Sequence, residues 1–211
     1  DWRVFGQNDR YFIKEYEEET NLQAYLVVDA SGSMAFAGKG RSKYDHAAEI
    51  AVVLAYLLLQ QRDAVGLFLH DSAVRTALAP STQSGQWLRL AQALEGHRPG
   101  GATALGPTWQ HLAERPPRRS LVILLSDGFG PVTEIVSALR RLRHARHEVL
   151  LLQILAPEEI EFPFRRGARF RGLEDGRELA VDPQRLRQDY LRAFEAFQSE
   201  LQAHAARMRV D

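Results

Sequence analysis

The stretch Tyr25-Leu26-Val27-Val28-Asp29-Ala30-Ser31-Gly32-Ser33-Met34 is an apolar run that ends in an acid and passes at once into hydroxyls. Such a run reads as a strand covered on both faces, as in a parallel sheet, so Asp29 emerges where the strand stops. Alternate positions then place Asp29, Ser31 and Ser33 on one side of a tight turn, with Gly32 letting the backbone bend. One carboxylate and two hydroxyls make a poor nucleophile set but a good hard-oxygen nest for a divalent cation. The plainer reading is a strand-to-helix loop whose serines cap the next helix.

Two distant segments favour the nest. Ser120-Leu121-Val122-Ile123-Leu124-Leu125-Ser126-Asp127-Gly128 is a second apolar strand that ends in an acid. Between the two strands, Pro99-Gly100-Gly101-Ala102-Thr103-Ala104 is a glycine turn that presents a threonine just before a helix. Asp29, Ser31, Ser33, Thr103 and Asp127 form one constellation. Thr76, Thr82 and Thr108 also lie between the acids; Thr103 is preferred because the Gly-Gly turn can swing its hydroxyl toward the strand ends.

This set resembles the metal-ion-dependent adhesion site of von Willebrand factor A (vWA) domains, which use D-x-S-x-S, a later Thr and a later Asp. Further segments, Asp1-Trp2-Arg3, Tyr11 to Thr20 and Glu161-Phe162-Pro163-Phe164, look like the bacterial vWA-like family catalogued as domain of unknown function fifty-eight. That resemblance covers nearly the whole chain. It implies a non-catalytic, metal-dependent protein-binding module that works with a MoxR-type AAA+ ATPase and takes an Asp or Glu of its partner at the metal. It leaves open whether each acid holds the ion directly or through water.

Charge gives the same cation. Two carboxylates nearly neutralise one divalent ion, and three hydroxyls add oxygens without charge, so Mg²⁺ fits, with Mn²⁺ or Ca²⁺ as substitutes.

Composition sets the outer limits. The chain of 211 residues is long enough for one α/β domain with a substantial core and too short for two comfortable ones. Its 27 Lys plus Arg balance 27 Asp plus Glu, so bulk charge favours neither nucleic acid nor an anionic membrane. With no cysteine there are neither disulfides nor thiolate metal sites, which fits a reducing compartment and a cytoplasmic location. No apolar stretch reaches the roughly 20 residues that span a bilayer. The longest, Ala47 to Leu59, carries Glu49 and reads as a core helix. The opening of the chain reads as a trimmed end, with residues 1–21 an approach segment and 22–211 the domain.

Strands and helices alternate. Strands are expected at Leu22 to Asp29, Ala64 to His70, Ala73 to Leu78, Leu121 to Ser126 and Glu148 to Leu155. Helices are expected at Ser42 to Gln60, Ser84 to Leu94, Leu105 to Glu114, Val132 to His144 and Pro183 to Met208, with Ser42 and Asp45 as a capping box. Arg209-Val210-Asp211 can begin a final strand. The fold class is thus α/β: a doubly wound, mostly parallel sheet with helices on both faces and one antiparallel edge, because the link from His70 to Ala73 is too short for a crossover. If the 121–126 strand lies beside the first, Asp29 and Asp127 face one crevice at the carboxyl ends.

Rival chemistries fit less well. Gly38-Lys39 has the wrong spacing for a P-loop, with Gly40 at the Ser/Thr position. A Mg²⁺-dependent phosphatase using Asp29 as nucleophile is the best enzymatic alternative, but Ser31 stands where haloacid-dehalogenase-type enzymes carry a second Asp. Ser33 lacks the elbow of a serine hydrolase. His144 and His147 among Arg140, Arg141, Arg143 and Arg146 read as a solvated basic helix end, without the aromatics of a nucleic-acid surface. A loop and hairpin insertion occupies about 156–182, turning at Asp175-Gly176, and Phe162 and Phe164 in it serve either as a plug on the sheet end or as a docking surface.

Overall fold

Strand β1, Gln23–Asp29, is buried at every position after its first, as a run without polar alternation requires. In the computed structural model, which describes residues 22–211 apart from 39, 118, 166, 167 and 175, β1 is the centre of a five-stranded sheet. The approach segment, like Lys39, lies outside the described residues.

The other strands are β2 (Ala64–His70), β3 (Val74–Ser81), β4 (Leu121–Ser126) and β5 (Glu148–Gln153), in the order β3-β2-β1-β4-β5. Parallel registers set Asp29 against His70, Val28 against Leu125 and Ser126 against Gln153. Only β3 runs antiparallel, on the edge, as its short link to β2 demands. The expected fold class is borne out.

Side chains of β1 alternate between two cores. Tyr25 and Val27 pack with Trp109, Ile135, Leu139 and Leu201, from helices α3 (Leu105–Leu112), α4 (Val132–His144) and α6 (Pro183–Met208). Leu26 and Val28 pack with Ala47, Ala51 and Ala55 of α1 (Lys43–Gln60) and with Leu90 and Leu94 of α2 (Gln86–Glu95). Three alanines four residues apart line one stripe of α1 and let it lie close on the sheet. Among the described residues no helix is long and apolar enough to cross a membrane.

Some expectations shift. Strand β3 continues through Pro80, which an edge tolerates because no ladder bond needs that missing N–H. A five-residue helix α5, Pro157–Glu161, interrupts what reads in sequence as loop, since so short an element shows no period. Phe162 is buried and packs against Tyr190, Phe164 and Phe170 at centroid distances of 4.5, 5.1 and 5.8 Å, which favours the plug over the docking surface. The hairpin pairs β6 (Ala168–Arg171) with β7 (Glu178–Val181); Gly176 of the expected turn lies in the link between them, and Asp175 lies outside the described residues. The basic helix end is only partly solvated: His147 is buried, and Arg143 donates to the carbonyls of Met208 and His147 at 3.0 and 2.7 Å. At the C-terminus, Asp211 accepts from Leu151 N–H at 2.7 Å and donates to the Val149 carbonyl at 3.2 Å, a parallel bonding pattern on the edge of β5.

The capping box on α1 is present: Ser42 Oγ accepts from Asp45 N–H at 3.1 Å, and Asp45 accepts from Ser42 N–H at 3.0 Å. Ser42→Ala is expected to cost about 1 kcal/mol in urea unfolding. The hydroxyl and N–H of Ser42 hold the Asp45 carboxyl below the usual carboxylate range. A lowered native pKa means the unfolded state binds more protons, so the box stabilises at neutral pH and is lost as pH falls through the native value. Wild type and variant should therefore converge on acidification; a constant gap would assign the loss to something other than the box.

Candidate metal centre

Four of the five expected residues sit on two neighbouring strand ends, and a glycine turn brings the fifth alongside. Asp29 closes β1 and is fully buried. Its Oδ1 accepts from Ser31 N–H at 2.9 Å and its Oδ2 from the Ser126 hydroxyl at 2.6 Å. Burial pushes its carboxyl up from the ordinary value, against the pull of the hydrogen bonds from Ser126 and Ser31.

Ser31 and Ser33 bracket the start of a short 3₁₀ turn, Gly32–Ala35, and their hydroxyl oxygens lie 3.1 Å apart. Neighbouring oxygens of an octahedron with ligands at about 2.1 Å stand roughly 3.0 Å apart, so the spacing suits one small cation. Gly32 is required for space rather than for bending: a Cβ there would meet Leu173 O at 2.6 Å and Gly101 O at 2.9 Å. Gly32 N–H donates to Gly101 O at 2.9 Å, and Gly100 N–H to Ala30 O at 2.9 Å, which docks the 99–103 turn on the serine turn. Gly101 needs its positive φ of 80° to make that approach. The Thr103 hydroxyl so placed donates to Glu174, and its N–H donates to the same carboxylate at 3.1 Å.

Asp127 is also fully buried. Its Oδ1 accepts from Phe129 N–H at 3.0 Å, and its Oδ2 receives Lys43 Nζ at 2.8 Å. Lys43, itself buried, also reaches Glu159 Oε1 at 2.6 Å and lies 5.1 Å from the Phe129 ring centre. Sequence reasoning missed Lys43, Ser126, Glu159 and Glu174. Lys43 had one signal: a cation in the first turn of a helix, where the dipole repels it, needs an anion to hold it.

Below Asp29 the polar groups are matched. Trp109 Nε1–H donates to His70 Nε2 at 3.1 Å, while His70 Nδ1 lies 3.2 Å from the Asp71 carbonyl. His70 is thus the neutral Nδ1–H tautomer, and burial holds its pKa below the ordinary value. Ala30 N–H donates to His70 O at 2.6 Å and fixes the turn to β2.

The donor set can be tested against a cation by its chemistry. Asp127 and Glu159 share one ammonium, that of Lys43, and the Asp29 carboxylate interacts with Asp127 across the strand ends. Asp29 is hydrogen-bonded by uncharged donors, and Asp127 raises its carboxyl further. Among the described residues no three His, Cys, Asp or Glu side chains form a ligand cluster, so an ion here depends on the hydroxyls as well as the acids. Hard oxygens with a residual negative charge fit Mg²⁺ or Mn²⁺.

Known proteins resemble this chain. Uncharacterized proteins Rv1480 of Mycobacterium tuberculosis and Mb1516 of Mycobacterium bovis are each 27% identical over 208 residues, covering 95% of this chain. The chain spans 64% of their length. A crystal structure described as an aerotolerance-related membrane protein from Bacteroides fragilis shares the fold, with TM-score 0.54 and 19% identity over 81% of this chain and 87% of that one. A looser likeness, TM-score 0.44 and 12% identity over 63% of this chain and 74% of that one, is to the SpRpn10 VWA domain. The model of the family described as "Protein of unknown function DUF58" matches residues 1–200, and the chain belongs to that family.

Proposed function

We propose that this domain is a protein-binding module of vWA type that captures a partner's Asp or Glu through a divalent cation. The observation that carries this reading is the pair of buried carboxylates at adjacent strand ends, Asp29 and Asp127, beside two hydroxyls 3.1 Å apart. Asp29, Ser31, Ser33, Thr103 and Asp127 would hold the ion, with Mg²⁺ preferred and Mn²⁺ or Ca²⁺ accepted. The ion, when bound, supplies a Lewis-acidic position for an external carboxylate. Ser33 and Thr103 are half-buried while both acids are sealed, so the hydroxyl side of the site is the side a partner meets.

Binding is favoured over catalysis by Asp29 itself. Both its oxygens are engaged by protein donors, an N–H and a hydroxyl, which suits an anchored ligand better than a nucleophile aimed at phosphorus. The balanced overall charge likewise gives no support to a nucleic-acid partner. We assign the module to the cytoplasm and a MoxR-type AAA+ ATPase as the partner to test first.

The test is capture of that ATPase on immobilised protein in Mg²⁺ or in chelator, using wild type and Ser33→Ala. Ser33→Ala removes one oxygen without changing charge, so it should weaken Mg²⁺-dependent capture while the melting temperature barely moves. Chelator should then add little, since both lesions act on one contact. Capture indifferent to chelator and to Ser33→Ala would reject the reading. Phosphoester turnover that vanishes in Asp29→Asn would replace it with the phosphatase.

A further inference from the structure

We propose that Glu174 is the chain's own stand-in for the partner carboxylate, so that the β6–β7 hairpin covers the metal centre and must swing aside before an acidic partner binds. The inference rests on the metal-binding reading above.

The hairpin belongs to neither core. Its strands are four residues long and form a separate two-stranded sheet, a unit of marginal stability by itself. Along the hairpin, Leu173 and Leu179 are half-exposed or more. A cross-strand ion pair, Arg169 with Glu178 at 3.3 Å, is exposed and contributes little.

Contacts hold it at its base and at its tip. At its base Phe170 stacks on the buried Phe162. At its tip Leu173 O sits over Gly32, and the Glu174 carboxylate receives both the N–H and the hydroxyl of Thr103. A carboxylate that takes both donors of Thr103, one of the five expected ligands, stands where an incoming Asp or Glu would have to go. The space between the hairpin and the serine turn is a cleft lined by Ser33, Phe36, Ala102, Glu159 and Glu174, already open beside that contact.

The design is therefore a cover with an aromatic root and an acidic latch. Its latch has the same chemistry as the ligand it excludes. With metal bound, Glu174 gains a cation to face, and an external carboxylate wins only by offering further contacts outside the site.

Mn²⁺ tests this without any partner. Water-proton relaxation of the Mn²⁺-loaded protein reports how many exchanging waters the ion keeps, and acetate serves as the external carboxylate. Glu174→Gln keeps the shape and removes the charge at an exposed tip, with folding checked by thermal melting. The expected result is that Glu174→Gln still binds Mn²⁺, with relaxivity raised by the share of one additional water. Acetate should then bring the variant back toward the wild-type value while leaving wild type unchanged. If both proteins bind Mn²⁺ with the same relaxivity and the same response to acetate, Glu174 is not the stand-in, although the metal reading survives. Should neither protein bind Mn²⁺, the metal reading fails and the cover falls with it. Asp29→Asn, measured alongside, must lose the Mn²⁺ signal if the ion counted is the one at this site.

Discussion

In Asp29→Asn, titration calorimetry is expected to show no uptake of Mg²⁺ or Mn²⁺, and added Mg²⁺ should no longer raise the melting temperature. The wild type, by contrast, should gain about 2.7 kcal/mol at a hundredfold excess of ion over its dissociation constant. The substitution is mild for the fold. An amide keeps an oxygen for Ser31 N–H, and the Ser126 hydroxyl, which already accepts from Gly128 N–H at 3.0 Å, can turn to accept from the new NH₂. Burial already pushes the Asp29 carboxyl toward its protonated form, so removing the charge also relieves the metal-free protein. Stability in chelator should thus change by no more than about 1 kcal/mol. An Asp29→Asn variant that melts higher in Mg²⁺ by as much as wild type would show that the ion sits elsewhere.

Lys43→Met should be the most damaging single change in the absence of metal. The ammonium is buried between Asp127 and Glu159, and its loss leaves a fully buried carboxylate uncompensated. Breaking such a pair costs roughly 3–5 kcal/mol. For a domain of this size that is a fall of about 6–20 °C in melting temperature. The sign should reverse for the ion: Asp127 freed from its ammonium is a better ligand, so Mg²⁺ should bind more tightly to the variant and restore much of what was lost. Melting in chelator and in Mg²⁺ reads both effects. A Lys43→Met protein as stable as wild type in chelator, or equally unstable with Mg²⁺, contradicts the assignment of Lys43 as the site's resident counter-charge.

Much of the fold is legible in the chain because its strongest signals are local. Leu26 to Val28 and Val122 to Leu125 are unbroken apolar runs ended by an acid or a hydroxyl, and Ser42 with Asp45 marks the start of α1 two positions from where packing begins. The adjacency of β1 and β4 enters the sequence reading only as a condition, and the sheet order supplies it, setting Asp29 and Asp127 at neighbouring strand ends. What escapes is what only tertiary placement creates. Glu174 reaches Thr103 across 71 residues, and Glu159 reaches Lys43 across 116; both acids lie in stretches without periodicity. The same limit explains Gly32, whose need for space comes from Leu173 and Gly101 and not from its own turn.

The bond from the Ser126 hydroxyl to Asp29 joins positions 97 residues apart, across a pair of parallel strands whose connection includes β2, β3 and three helices. Contacts of such sequence separation form slowly, because the whole intervening loop must close before any of them is rewarded. The oxygens of the centre are therefore assembled only after the sheet has paired, and a nascent or partly folded chain offers a cation nothing but scattered acids. Divalent ions can then do little to hasten the search for the native state. Under the proposed metal reading their leverage would be on escape from it: an ion held by Asp29 and Asp127 would tie β1 to β4 and lengthen the lifetime of the folded molecule.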